Sequence, residues 1–240
     1  MASPIEQFEI KRFLDLDIGI VDASFTNSSM LMVIAVGLIT LLLVMGVRRR
    51  SLVPGRWQSI VELAYDFVAS MIRTNIGSDG RPYFPFIFSL FMFILFGNML
   101  GLLPYSFTFT SHLAVTFGMA LVVFIGTTII AFAKHGFHFF SFFLPHGTPW
   151  YVAPLLVPIE ILSYFTRPVS LSLRLFANMT AGHTLLKVFG GFIVAMGVAG
   201  IIPAAAVVAL TGLELVVAFL QAYVFAILSC IYLNDALHMH

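Results

Sequence analysis

Residues 29–47 read SMLMVIAVGLITLLLVMGV, 19 residues without a charge or a proline, and Arg48, Arg49 and Arg50 follow at once. A run this long and this apolar can cross a hydrocarbon core of roughly 30 Å. The rest of the chain has the same character, with 60% hydrophobic and only 10% charged residues. A soluble domain carries about a quarter charged residues, so the chain is expected to be an all-α integral membrane protein. A net charge of +1 gives no reason to expect nucleic-acid binding, and the lone Cys230 leaves no intrachain disulfide. Before the first run stand Glu6, Glu9, Asp15, Asp17 and Asp22. That pattern is unlike a cleaved secretory signal or an Arg-rich transit peptide.

The expected organisation is a single membrane domain over residues 1–240, opened by an outer N-terminal segment, 1–28. The first span is 29–47, and the triple arginine behind it places that end in the cytoplasm and the N-terminus outside. Residues 54–76 differ. Gln58, Glu62 and Asp66 recur at four-residue spacing with Arg73 beyond, while Trp57, Ile60, Val61, Ala64, Phe67, Val68, Met71 and Ile72 fill the other side. This is an amphipathic helix on the membrane surface or packed under another subunit; the pattern fits both. Spans follow at 83–103, closed by Pro104, and 113–133, closed by Lys134. After a loop rich in His, Phe and Pro, residues 155–234 form two long apolar stretches broken by Gly197, Gly200 and Pro203. Five crossings put the C-terminus inside. The first of these stretches would run roughly 65 Å as one helix, about twice the core thickness. It must tilt steeply, bend near Pro168, or begin along the surface, and a long tilted helical hairpin is the expected form.

The hairpin is apolar but not uniformly so. Glu160, Arg167 and Arg174 recur every seven residues, Arg174 and Asn178 are four apart, and Glu214 and Gln221 are again seven apart. Each set therefore shares a helix face. Charge inside a membrane costs several kcal/mol, so each of these residues needs a reason. Folding the hairpin at about residue 198 brings Arg174 level with Gln221 and His183 level with Glu214. The second level lies about 13 Å farther out along the helix. Arginine does not deprotonate in proteins, so Arg174 acts as fixed charge and donor. His183 and Glu214 titrate, so they can carry protons. A carrier path that stops at a fixed positive charge is a proton half-channel with a barrier at its inner end. The static readings stand beside this one: Arg174 paired with an acid such as Glu160 or a partner's carboxylate, His183 and Glu214 as a structural pair, and Asn178 and Gln221 as interhelical hydrogen-bonding groups. Lys187 and Arg167 are long enough to snorkel to the outer interface and the cytoplasmic headgroups. His135 and His138 have the spacing of a metal-ligand pair but no further ligands beside them, so no metal or other cofactor is expected. No phosphate-binding loop, G-x-S-x-G or H-E-x-x-H occurs, so the chain alone is not expected to be an enzyme.

The run SLSLRLFANMTAGH, with RPVS at its head and LELVVAFLQAYVFAILSCIYL after it, resembles subunit a of F-type ATP synthases. GNMLGLLPY and the acidic N-terminal segment extend the resemblance over nearly the whole chain. It implies a stator subunit that conducts protons through two half-channels and couples their flow to rotation of a ring of c subunits. Arg174 matches the family's stator arginine, which faces the ring carboxylates. Asn178, His183, Glu214 and Gln221 match positions of the outer half-channel or the rotor contact, and Glu160 and Ser170 lie nearer the inner half-channel. The pairing of His183 with Glu214 is similar to the alphaproteobacterial and mitochondrial variant. Where some relatives carry acids, this chain has Gly101 and Ser106, which leaves Asn98 as the polar residue of that region. The implied partners are the c-ring, the peripheral-stalk b subunits, the remaining synthase subunits and the bilayer. The implied location is a bacterial inner membrane, N-terminus periplasmic and C-terminus cytoplasmic, or else a mitochondrial inner membrane. Two other classes remain at this stage. In a secondary ion or anion transporter Arg174 would bind substrate, but the spans are too few for an inverted repeat. In a purely structural membrane subunit, neutralising Arg174 would cost stability and spare proton flux.

Overall fold

The computed structural model describes residues 12–14, 17–18, 21–22, 25–48, 51, 53–103, 107–136, 139 and 152–238. Expectations resting on Glu6, Glu9, Asp15, Arg49, Arg50, Pro104, Ser106, His138, His240 and most of the loop before residue 152 lie outside the described residues. The chain is an all-α membrane protein. Its helices are α1 Asn27–Arg48, α2 Arg56–Asn75, α3 Phe84–Gly101, α4 Leu113–His135, α5 Ala153–Met196 and α6 Ile201–Leu237. All but α2 are long and apolar enough to cross a membrane. Ahead of α1, two very short antiparallel pairings join Arg12–Leu14 to Phe25–Thr26 and Asp17–Ile18 to Val21–Asp22. The sequence reading assigned no structure to that segment.

Short 3-10 segments shape three of the connections. Gly77–Tyr83 leads from α2 into α3, Phe109–Ser111 lies before α4, and Gly197–Gly200 joins α5 to α6. The last turn sits where the hairpin was expected to fold. Gly197 has φ 55° there, in the left-handed region that only glycine enters at little cost. At the opposite end of the bundle, Asp79 lies 3.9 Å from Lys134 of α4 and 3.5 Å from His238 beyond α6. These contacts gather the start of α3 and the ends of α4 and α6 on one side.

The core lies between α3 and α6 and is roofed by α2. Ile87, Phe91, Met92 and Ile94 of α3 meet Ala218, Ala222, Phe225 and Ala226 of α6. Alanines on α6 let the bulky side chains of α3 come close, which is how helices gain dispersion contacts where lipid leaves no hydrophobic drive. The second half of α2 joins this core through Val68, Met71 and Ile72, and the Phe67 ring meets those of Phe91, Phe219 and Tyr223 in tilted contacts. Its first half leaves Trp57, Ile60 and Leu63 exposed. The apolar face of α2 is therefore shared: part is packed inside the chain, and part is free to lie against lipid or another subunit.

α5 runs unbroken through Pro158 and Pro168 for 44 residues. At its length it fits a membrane only strongly inclined or partly along the surface.

Asn98, fully buried in α3, donates to the Ala218 carbonyl of α6 at 3.1 Å. It holds the α3–α6 seam. Next to it in the chain, Gly97 faces the Phe109 ring so closely that an added Cβ would overlap it. Gly97→Ala should lower stability by about 1–3 kcal/mol through overpacking. Gly118→Ala, where a Cβ meets nothing within 4 Å, should not. Thermal unfolding of the assembled complex in detergent compares the two.

Candidate functional site

α5 has two faces of different character. Pro168, Leu171, Ser172, Leu175, Met179 and His183 are buried, and their spacing keeps them on one stripe against the bundle. Ser170, Leu173, Arg174, Ala177 and Asn178 are exposed on the other. Arg174 stands at the midpoint of the helix and has no hydrogen bond or ion pair with any described residue. Glu160, half-buried in the first part of α5, is not its counter-ion. Ser170 lies one turn before Arg174 on the same exposed face, and Asn178 one turn after it.

The level pairing of Arg174 with Gln221 is not a contact. Gln221 is buried on the packed face of α6 beside Ala218, Ala222 and Phe225, whereas Arg174 is exposed. The position of a hairpin turn decides which residues share a height. Which way each points depends on helix rotation, at about 100° per residue, and that is set by packing.

At the other level the two side chains do meet. His183 Nδ1 lies 3.3 Å from Glu214 Oε1, and both side chains are almost wholly buried. Neither Glu214 oxygen has a hydrogen bond among the described residues. Gly182 provides the space, since a Cβ there would lie 2.6 Å from Glu214 Oε1. On its far side the imidazole meets a residue that the sequence reading did not single out. His183 Nε2 is 2.9 Å from Thr108 Oγ1, and that hydroxyl also donates to the Gly101 carbonyl at 3.3 Å. Thr180 donates to the Ser111 carbonyl at 3.4 Å, tying the same connecting segment to α5. No periodicity flags Thr108, because it sits in a connection whose path is set by tertiary packing.

A second polar cluster lies toward the opposite end of the hairpin. Arg167 Nη1 donates to Asp235 Oδ2 at 2.9 Å, and its guanidinium sits 5.4 Å from the Tyr164 ring centre and 5.3 Å from that of Tyr232. Tyr164 in turn shares a 2.7 Å hydrogen bond with Thr128 of α4. A cavity of about 20 Å³ beside these groups has room for one water. Arg167 is thus held between α5 and α6, not extended to headgroups as expected. From the turn alone it would face residue 230; its side chain spans the remaining five residues, about 7.5 Å.

A buried acid–histidine pair, an exposed mid-helix arginine, and five apolar helices are the features to set against known proteins. The ATP synthase A chain family model matches residues 29–234. The chain belongs to this family. Over its full length it is 59% identical to ATP synthase subunit a of Paramagnetospirillum magneticum and 57% identical to that of Rhodospirillum rubrum, covering all of each. It is 55% identical to subunit a of Pelagibacter ubique and covers 99% of it. Membership in the subunit a family makes the chain a membrane component of the machinery of proton transport and ATP synthesis. The match spans every helix that carries the site: α3 with Gly101, the segment with Thr108, and α5 and α6.

The Arg167–Asp235 pair is part-buried and clasped by two aromatic rings, so it should be stronger than an open surface pair. A double-mutant cycle with Arg167→Gln and Asp235→Asn should give a coupling of about 1 kcal/mol in thermal unfolding of the complex. A coupling near zero would show that the two side chains act separately.

Proposed function

We propose that the chain is the proton-conducting stator subunit of an F-type ATP synthase, and that Arg174 faces the carboxylates of a rotating c-ring. The observation that carries this reading is the exposed guanidinium at the midpoint of α5, with no ion pair to any anion among the described residues. Such a charge is too costly to leave against lipid, and it does not titrate, so a carboxylate must come to it from another chain. Ser170, Ala177 and Asn178 around it are small or polar, which suits a surface past which another helix slides.

In this mechanism protons enter from the periplasmic side and pass the His183–Glu214 pair. Buried Gln221 lines the route, and exposed Asn178 stands at its edge toward the ring. A ring carboxylate that takes up the proton becomes neutral and can enter lipid at far lower cost. After nearly a full turn it reaches the inner half-channel near Glu160 and Ser170 and releases the proton to the cytoplasm. Arg174 favours the ionised carboxylate by direct attraction. Its fixed charge also blocks a direct hop between the two half-channels. Each proton moving down 100 mV contributes about 2.3 kcal/mol, so several are used per ATP. Bond-making on the nucleotide belongs to other subunits. The peripheral-stalk b subunits are the proposed partners that hold this chain against the ring's torque. The N-terminus is periplasmic and the C-terminus cytoplasmic in a bacterial inner membrane.

Replacing the charge tests the reading. Arg174→Ala should abolish ATP-driven proton pumping, by at least about a hundredfold, while the complex still assembles. Arg174→Lys should also fail, since an ammonium lacks the planar fork and sheds its proton when desolvated. Normal pumping by an assembled Arg174→Ala complex would sink the barrier role.

The outer path gives a separate test. Glu214→Gln and His183→Ala should each slow passive proton flux through the membrane sector, measured after the catalytic head is stripped and normalised to assembled ring. If the two act in one relay, the double variant should be little worse than the poorer single variant. Unchanged flux in both single variants would place the path elsewhere.

A further inference from the structure

The hydrogen bonds around His183 bear on which ring nitrogen carries its proton, since Thr108 Oγ1 and His183 Nε2 exchange donor and acceptor roles with the tautomer. Thr108 has a single hydroxyl hydrogen, and of its two neighbours the Gly101 carbonyl, at 3.3 Å, can only accept it. Gly101 is the last residue of α3, where carbonyls have no donor from the next helical turn. With its hydrogen committed there, the Thr108 oxygen can only accept from His183 Nε2, 2.9 Å away. A neutral His183 is then protonated at Nε2 and bare at Nδ1, the atom that faces Glu214 Oε1 at 3.3 Å. The arrangement is tightly built. A Cβ on Gly101 would lie 2.6 Å from Thr108 Cγ2 and 2.7 Å from Thr108 Oγ1.

We propose that Thr108 is a positioning residue for proton transfer: anchored on Gly101, it holds His183 as the Nε2–H tautomer so that Nδ1 alone exchanges a proton with Glu214. This rests on the assignment of His183 and Glu214 to the proton path. In the transfer, the Glu214 O–H bond breaks and an Nδ1–H bond forms. The products are a carboxylate and an imidazolium, and the second ring proton stays bonded to Nε2, hydrogen-bonded to Thr108 Oγ1. The reverse step restores the neutral pair, and net charge is unchanged. Without the Thr108 oxygen the ring is free to place its proton on Nδ1. In that form two hydrogens meet between His183 and Glu214 whenever the carboxyl is protonated, and the transfer is blocked.

The test uses the complex with ¹⁵N-histidine in this chain, reconstituted in liposomes. Because the chain has seven histidines, the His183 signals are taken as the difference from a His183→Gln complex. Under conditions where the ring is neutral, the parent should show a protonated Nε2 and a bare Nδ1. Thr108→Val keeps the shape and removes the acceptor; it should lose that signature and slow passive proton flux about five- to tenfold, the scale of one buried hydrogen bond. Thr108→Ser should retain both, and Gly101→Ala, which displaces the hydroxyl without deleting it, should behave like Thr108→Val. An unchanged ¹⁵N signature in Thr108→Val, or a Thr108→Ser complex as impaired as Thr108→Val, overturns the proposal. Failure of the wider path reading is seen separately, as normal flux in His183→Ala whatever the tautomer.

Discussion

A guanidinium that does not lose its proton has to sit somewhere in a solvent that does not solvate it. This constraint organises the hairpin more than any packing contact does. Arg167 and Arg174 stand seven residues apart on the same helix, and the fold treats them in opposite ways. Arg167 is compensated within the chain by Asp235 and two tyrosine rings. Arg174 is left exposed at mid-helix. Internal compensation would make Arg174 a structural strut. Its exposure leaves the surface of α5 with a charge that no described residue of the chain compensates.

The inner workings of the acid–histidine pair depend on small residues as much as on ionisable ones. Gly182 makes room for the Glu214 carboxyl, Gly101 makes room for Thr108, and Gly97 admits the Phe109 ring that seats the same connection. Three glycines from two helices thus let a connecting segment fold inward and present a hydroxyl to an imidazole. In hydrocarbon an unpaired polar atom costs far more than in water, so close backbone approach matters here for the partners it brings to the imidazole. The alanines of α6 play the same part for the α3 side chains, and the core and the site share one seam.

The chain itself determined the class and the outline of the fold. Long apolar runs have no stable home outside a bilayer, and each must close its backbone hydrogen bonds within itself, so five crossing helices follow from composition and length. Heights along the hairpin were also legible. The rise per residue is fixed and the turn is marked by Gly197 and Gly200, which is why His183 and Glu214 could be placed at one level before any coordinates. Helix rotation was not legible. Heptad spacing says that Arg167 and Arg174 share a face, but not what that face meets at each height. Only packing placed Asp235 beside Arg167, Gln221 in the core and Arg174 outside. Contacts formed by connections, such as Thr108 with His183, were beyond the sequence for a further reason. They join residues 75 positions apart through a segment without periodicity, and the geometry that brings them together exists only once α3, α5 and α6 have closed around it.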